Sequence, residues 1–199
     1  MVNKILIGIV GVQGAISEHI NSMKNALYKL NIKGDIIVIK DSFQIDEIDA
    51  LIIPGGESTT ISNILQKSGL YNEIFKKIKE KNLPIMGTCA GCVLLASELV
   101  EDIKEIKLLY AMNMKVKRNA YGGQRESFEC DIDIKGFKKQ YNAIFIRAPI
   151  IQKVWGDCEI IAKFEDDIIM ARQGKFLALS FHPELTDDIR IQKYFIDMI

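Results

Sequence analysis

The sequence predicts an α/β protein: a three-layer sandwich whose mainly parallel central sheet is flanked by helices, with extra antiparallel strands at its edge. Three observations carry this expectation. In the first half, short apolar runs alternate with amphipathic helical stretches, the pattern of βαβ units with right-handed crossovers. Those runs are continuous rather than alternating, as in strands covered on both faces. In the second half, strand-like segments follow one another with little helix between them, which adds antiparallel pairs.

Ile5 to Val10 is an unbroken apolar run and reads as the first strand. Gly11-Val-Gln13-Gly14 makes a turn, and Ser17 to Leu30 is an amphipathic helix. His19, near the start of that helix, reads as structural or solvated rather than catalytic. Asp35 to Ile39 and Ala50 to Ile53 are the next strands, the latter ending in Pro54-Gly55-Gly56-Glu57-Ser58-Thr59-Thr60. Thr59 to Gln66 and Tyr71 to Lys81 are helices, and lysines at the end of the second suit a C-terminus. Pro84 stops that region, and Ile85 and Met86 form a short buried strand. Gly87-Thr88-Cys89-Ala90-Gly91 follows, and then an apolar run, Val93 to Leu99, of helical character.

Met114 to Val116, Phe128 to Ile134, Ala143 to Ile146, Glu159 to Phe164, Ile168 to Ala171 and Phe176 to Phe181 read as short strands, and a last helix begins near Asp188. Gly122-Gly123 marks a loop. With no repeat, linker or low-complexity tract, residues 1–199 are expected to form one domain.

Composition excludes several classes of function. Lys plus Arg equals Asp plus Glu, 26 each, so the surface carries no overall basic footprint for nucleic acid. Four unpatterned cysteines do not make a disulfide framework and suit a reducing compartment. No uncharged stretch is long enough to cross a bilayer, and the N-terminus lacks the long apolar core of a signal peptide. A cytoplasmic protein is expected.

The chemistry centres on Cys89. A Gly-x-nucleophile-x-Gly segment between strand and helix is a sharp turn in which backbone and helix approach too closely for a Cβ, while the central side chain points outward. The helix N-terminus that follows favours a thiolate, the attacking species. Most free cysteines are small buried hydrophobes, and Cys92 is assigned to that class. A Cys89/Cys92 thiol pair is the redox alternative. A zinc site would need more ligands than the isolated Cys130 and Cys158 supply, so no metal is expected.

A cysteine nucleophile needs an imidazole base, and the chain has two histidines. His182 lies at the end of a strand, in Ser180-Phe-His182-Pro-Glu184, and in extended chain Glu184 would project to the same side and hold the ring. Alone, this reads as a histidine in a turn with an exposed glutamate. Paired with the Cys89 turn, it makes Cys89, His182 and Glu184 a set for acyl transfer through a thioester. Oxyanion donors are expected from the Ala90 N–H and from the Gly55-Gly56-Glu57 loop. Arg118 and Arg147 follow apolar segments and are able to grip a carboxylate, although residue type alone makes them surface arginines.

Gly87-Thr-Cys89-Ala-Gly91 with His182-Pro-Glu184 resembles the class I (triad) glutamine amidotransferases. Within them, Gly11-Val-Gln13-Gly14, Pro54 to Thr60, Arg118-Asn119-x-Tyr121-Gly122, Ser127-Phe128-Glu129 and Ile146-Arg147-Ala148-Pro149 resemble the glutaminase subunits of pyridoxal 5′-phosphate synthase. The resemblance spans nearly the whole chain. It implies glutamine contacts at Gly56, Glu57, Ser58, Arg118, Ile146 and Arg147, an oxyanion donor at Gly56, and a partner contact near Gln13. The chain departs from the family where arginine usually follows Tyr121-Gly122: it has Gly123 and Gln124, with Arg125 nearby. The segment between Leu99 and Met112 is also divergent and yields no functional reading.

What the resemblance implies is hydrolysis of L-glutamine to glutamate and ammonia without a cofactor. The ammonia would pass to a separate (β/α)8-barrel synthase subunit in a hetero-oligomeric complex. Two rivals stand beside it: a redox-sensing or chaperone-like protein using Cys89 and Cys92, and a cysteine hydrolase of the same superfamily with another acyl substrate.

Overall fold

The alternation of apolar runs and helical stretches is realised strand by strand in a computed structural model that describes residues 4–120 and 127–199. The first half gives β1 (Ile5–Val10), α1 (Ile16–Lys29), β2 (Gly34–Ile39), β3 (Ala50–Ile53), α2 (Ser58–Lys67), α3 (Leu70–Glu80), β4 (Ile85–Thr88) and α4 (Ala90–Leu95). The second gives β5 (Ala96–Leu99), β6 (Met112–Lys117), β7 (Ser127–Ile132), β8 (Tyr141–Ile146), β9 (Ile150–Val154), β10 (Glu159–Phe164), β11 (Asp167–Gln173), β12 (Phe176–Leu179) and α5 (Arg190–Ile196). Short 3₁₀ turns at Ser42–Asp46 and Pro183–Leu185 were not foreseen.

One sheet runs in the order β2-β1-β3-β4-β12-β11-β9-β6-β5, with β10 paired to β11. From β2 to β12 every neighbour is parallel. β12 is the seam, parallel to β4 on one side and antiparallel to β11 on the other. Antiparallel pairs thus extend the sheet beyond β12 as far as β6, β5 closes the edge parallel to β6, and β7 and β8 pair separately as a two-stranded ribbon.

Both faces of the parallel half are covered, which is why its strands lack an apolar/polar alternation. Leu51 and Ile53 face α2, α3 and α4, whereas Ala50 and Ile52 face the layer of α1, α5 and the β7–β8 ribbon. Ile7, Ile9, Ile52 and Ile53 are fully buried, each such side chain contributing roughly 1.5–3 kcal/mol. On the ribbon side Phe145 stacks on Phe128 and meets Phe181 at 5.8 Å between ring centres, so an aromatic cluster backs the strand ends that carry the site.

Three expectations need correction. The apolar run Val93 to Leu99 is not one helix: α4 stops at Leu95 and the chain continues as β5, parallel to β6. The reason is competition, because Leu109 N–H and Ala111 N–H take the carbonyls of Leu94 and Leu95 that another helical turn would use. Phe128 to Ile134 is not one strand either: β7 ends at Ile132, and Ile134 bridges instead to Ala162. The strand expected to reach Phe181 ends at Leu179, where Ser180 N–H turns to Ile169 O and His182 N–H to Ile144 O.

The unread segment after Leu99 closes the sandwich. Ile106, Leu108 and Leu109 are buried, the Tyr71 hydroxyl donates to Leu108 O at 2.7 Å, and Lys107 N–H donates to Ser62 Oγ at 2.8 Å. Among the described residues no helix is long and apolar enough to cross a membrane.

Candidate active site

Cys89 stands between β4 and α4 with φ 48° and ψ −103°, a conformation that costs a non-glycine residue of order 1–3 kcal/mol. Its surroundings enforce it. The Cys89 N–H donates to Leu179 O at 2.8 Å, and Val93 N–H donates back to Cys89 O as the helix starts. The two flanking glycines are required by space. A Cβ on Gly87 would lie 2.5 Å from the Gly91 carbonyl, and one on Gly91 would lie 2.1 Å from Ile53 O. The thiol lies nearly buried, making a weak contact with Ile146 O at 3.8 Å.

His182 leaves the neighbouring strand β12 and is anchored across to β8 by its N–H. Its Nδ1 lies 2.7 Å from Oε1 of Glu184. The pairing was expected from extended chain, but Glu184 lies in the 3₁₀ turn opened by Pro183, with Leu185 N–H closing onto His182 O at 3.3 Å. The turn, not strand geometry, brings the carboxylate under the ring. Nor is the glutamate exposed: its side chain is fully buried. Nε2 of His182, on the other side of the ring, has no hydrogen-bond partner among the described residues.

Electrostatics favour a charged imidazole. Burial opposes it, but Cys89 on one side and Glu184 on the other outweigh burial and raise the His182 pKa to about 10. Burial likewise works against the Glu184 charge, yet His19 and His182 hold that carboxyl below its usual range. Cys92 differs: it is fully buried, and burial pushes its thiol pKa up, so it lacks the thiolate a reactive pair would need.

The rim comes from the ends of four strands, β1, β3, β6 and β8. After β3, Gly55 passes so close that a Cβ would sit 2.7 Å from His182 Cε1 and 3.3 Å from the Cys89 Cβ. Gly14, at φ 112°, approaches the Gly55 carbonyl to a distance that would leave a Cβ only 1.7 Å away. Gln13 Oε1 accepts from Glu57 N–H at 2.9 Å. The Glu57 side chain caps α2 by accepting from Thr60 N–H and the Thr59 hydroxyl, and it pairs with Arg118 at 2.9 Å. Burial raises the Glu57 pKa, but these donors and Arg118 outweigh it and lower the carboxyl overall. Arg118 and Asn119 follow β6; Ile146 ends the ribbon strand β8 and Arg147 follows it at φ 45°.

These walls enclose a cavity of about 440 Å³. Gln13, Gly56, Glu57, Ser58, Cys89, Ala90, Arg118, Ile146, Arg147 and His182 all line it, and Glu184 lies directly behind His182. Ala90 is the first residue of α4, where a backbone N–H has no intrahelical acceptor. The Tyr121-Gly122 motif, Gly123, Gln124 and Arg125 lie outside the described residues. Among the described residues no cluster of His, Cys, Asp and Glu is arranged to hold a metal ion.

Of the two readings given to His19, structural or solvated, the structural one holds: it is buried, with Nε2 3.1 Å from Thr88 Oγ1 and 3.4 Å from Glu184 Oε1. The signal was present in helical spacing, since His19, Ser22, Met23, Ala26 and Leu27 form the buried stripe of α1.

A family model described as the SNO glutamine amidotransferase family matches residues 9–199. The pyridoxal 5′-phosphate synthase subunit PdxT of Pyrococcus furiosus is 46% identical over 194 residues, which cover 97% of this chain and 98% of the relative. PdxT of Thermosipho africanus is 45% identical over 193 residues, with 97% and 98% covered. A solved glutamine amidotransferase superposes with a TM-score of 0.86 at 38% identity, covering 96% of this chain and 97% of its own. Another, from Thermotoga maritima, shares the fold at 13% identity, with a TM-score of 0.65 and coverage of 98% and 84%.

Proposed function

The chain belongs to the SNO glutamine amidotransferase family, and we propose that it acts as the glutaminase subunit of a pyridoxal 5′-phosphate synthase. It hydrolyses L-glutamine to L-glutamate and ammonia. The observation that carries this reading is the placement of Cys89 and His182 on adjacent strand ends at one cavity, with Glu184 on the far side of the imidazole.

The reaction follows from the positions. The Cys89 thiolate attacks the side-chain carbonyl carbon of glutamine. Negative charge develops on the oxygen, facing the N–H groups of Ala90 and Gly56. The His182 imidazolium gives its Nε2 proton to the amide nitrogen, the C–N bond breaks, and ammonia leaves a thioester on Cys89. Water then attacks the thioester as neutral His182 takes its proton, and glutamate departs with the thiolate restored. Glu184 holds the ring and stabilises its charge in both halves.

The adjacent opposite charges of Glu57 and Arg118 suit a zwitterion, with Arg118 and Arg147 toward the α-carboxylate and Glu57 toward the α-ammonium. Gly56, Ser58 and Ile146 complete the glutamine contacts. No cofactor takes part, since the cysteine performs the covalent step. The ammonia passes to a (β/α)8-barrel synthase subunit docked near Gln13, in a hetero-oligomeric complex. The whole chain serves as one glutaminase domain, consistent with a single sheet running through both halves, and its free cysteines suit the cytoplasm.

The test is ammonia release from L-glutamine by the purified chain, with and without synthase subunit, beside a Cys89→Ala variant. Partner-dependent release abolished by the substitution supports the reading. Release that survives it overturns the reading.

A further inference from the structure

We propose that His19 is a positioning residue of the glutaminase site: its Nε2–H is shared between the Glu184 carboxylate and the Thr88 hydroxyl, and so holds the acid behind His182 in register with the strand end that carries Cys89. The proposal rests on the Cys89, His182 and Glu184 assignment above and adds a residue that touches neither substrate nor nucleophile.

The geometry sets the proton. Nε2 of His19 lies 3.4 Å from Glu184 Oε1 and 3.1 Å from Thr88 Oγ1, and all three side chains are buried. A carboxylate oxygen only accepts, so the ring nitrogen that faces it carries the hydrogen. Glu184 Oε1 already accepts from His182 Nδ1 at 2.7 Å, while Oε2 has no hydrogen-bond partner among the described residues. His19 thus brings its Nε2 within 3.4 Å of the oxygen that does the orienting. Beyond its own backbone N–H, the buried carboxylate's other donor is the ring it is meant to fix, and a poorly satisfied buried charge is free to turn.

The second contact reaches the other half of the triad. Thr88 is the last residue of β4 and precedes Cys89. One imidazole on α1 thus spans from the strand that presents the nucleophile to the 3₁₀ turn that presents the acid. A space-filling role would need only an apolar ring or a leucine, and would leave the buried Thr88 hydroxyl and Glu184 without this donor.

Charge supports the same assignment. Three titratable groups face His19: Glu184 and His182 from the segment after β12, and Glu18 on its own helix. Burial lowers the His19 pKa, Glu184 raises it, His182 lowers it and Glu18 raises it; burial prevails. A neutral ring donates to Glu184 without neutralising it, so the carboxylate's charge stays available to the His182 imidazolium. A cationic His19 would instead repel that imidazolium.

The experiment compares wild type, His19→Gln and His19→Leu in the complex with synthase subunit, reading kcat, KM for glutamine and the pH profile. Glutamine keeps a donor near the Nε2 position; leucine keeps volume alone. His19→Leu is expected to lower kcat about tenfold to hundredfold, as for loss of a buried hydrogen bond to a charged group, with KM within about twofold. With Glu184 less firmly held, the imidazolium is less stabilised, so the alkaline limb of kcat/KM should move down by at least about half a pH unit. His19→Gln should recover most of both.

A His19→Leu enzyme with wild-type kcat and an unmoved alkaline limb overturns the proposal while leaving the triad intact. A wild-type chain without glutaminase activity overturns the triad reading instead. The proton placement is read in wild-type protein by imidazole ¹H–¹⁵N NMR, which needs no variant to fold. A neutral Nε2–H tautomer of His19 at pH 7 is expected, and a Nδ1–H tautomer or a cationic ring overturns the assignment.

Discussion

The side-chain oxygen of Gln13 accepts the Glu57 N–H at 2.9 Å, tying the turn after β1 to the loop after β3 that rims the cavity. Gly56, the residue between, has φ 154° and packs so closely that a Cβ would lie 2.8 Å from the same Gln13 oxygen. A residue on the surface proposed to meet the partner is thus joined to the loop proposed to supply an oxyanion donor. The chain alone should be a poor glutaminase, with activity rising on addition of synthase subunit and saturating near one partner chain per glutaminase. Gln13→Ala should blunt that rise. Steady-state ammonia production at fixed glutamine checks it, and full activity without partner would count against the coupling.

Cys89→Ala or Cys89→Ser should abolish glutaminase activity while the fold survives. Cys89→Gly should also be inactive yet more heat-stable, because it relieves a left-handed φ of 48°. Relief of about 1 kcal/mol net would raise Tm by roughly 2–4 °C in a chain of this size. Calorimetry showing no rise would mean the turn stores little strain. A chloroketone analogue of glutamine should label Cys89 and spare Cys92, Cys130 and Cys158, as read by peptide mass mapping.

For His182, burial is outweighed by Cys89 and Glu184, so the pKa lies near 10 rather than the ordinary 6.5. A raised pKa means that this contribution to stability is fully present below pH 6.5 and is lost as pH rises through about 10. Imidazole NMR should therefore find His182 charged at pH 8 in wild type, with its titration moved to lower pH in Cys89→Ser. His182→Ala should remove activity about as fully as loss of the cysteine, and Glu184→Gln should cost less, since residues acting as a unit are not additive.

Arg118→Ala and Arg147→Ala should each weaken glutamine binding. A charge-assisted contact of this type contributes about 1.5–3 kcal/mol, roughly tenfold to a hundredfold in affinity. Glu57→Ala should combine that defect with loss of the α2 cap, about 1 kcal/mol of stability. Steady-state KM values and thermal unfolding separate the two effects. Unchanged KM in both arginine variants would place those side chains outside the site.

The parallel half of the fold was readable because each strand is covered on both faces and each connection is an amphipathic helix, so local pattern and tertiary environment agree. The turn at Cys89 was readable because Gly87 and Gly91 meet backbone, Gly91 itself and Ile53, where no side chain fits. What the sequence concealed depended on distant partners. The end of α4 is set by N–H groups of Leu109 and Ala111, more than ten residues downstream, and β9 gains its identity by pairing with β6 and β11. The 3₁₀ turn at Pro183–Leu185 escaped notice although it forms the His182–Glu184 pair. His19 was legible as a buried position, but its neighbours Thr88 and Glu184 belong to two other segments that only the folded chain brings together.

β4 and β12 are hydrogen-bonded neighbours, and Cys89 and His182, the residues proposed to break the glutamine amide bond, follow their adjacent ends. Their separation is therefore fixed by the spacing of two paired strands, and the Cys89 amide is itself locked to Leu179 O. In hydrogen–deuterium exchange, the amides of β4, β12 and Cys89 should open only with global unfolding. The Gly55–Glu57 loop lies outside the strand ladder, held by Glu57 N–H to Gln13, Ala15 N–H to Gly55 O and the Glu57–Arg118 pair, and should exchange on a shorter timescale. Substrate entry and reaction geometry thus belong to different cooperative units, so the mouth of the cavity can breathe while the distance from sulfur to imidazole stays constant.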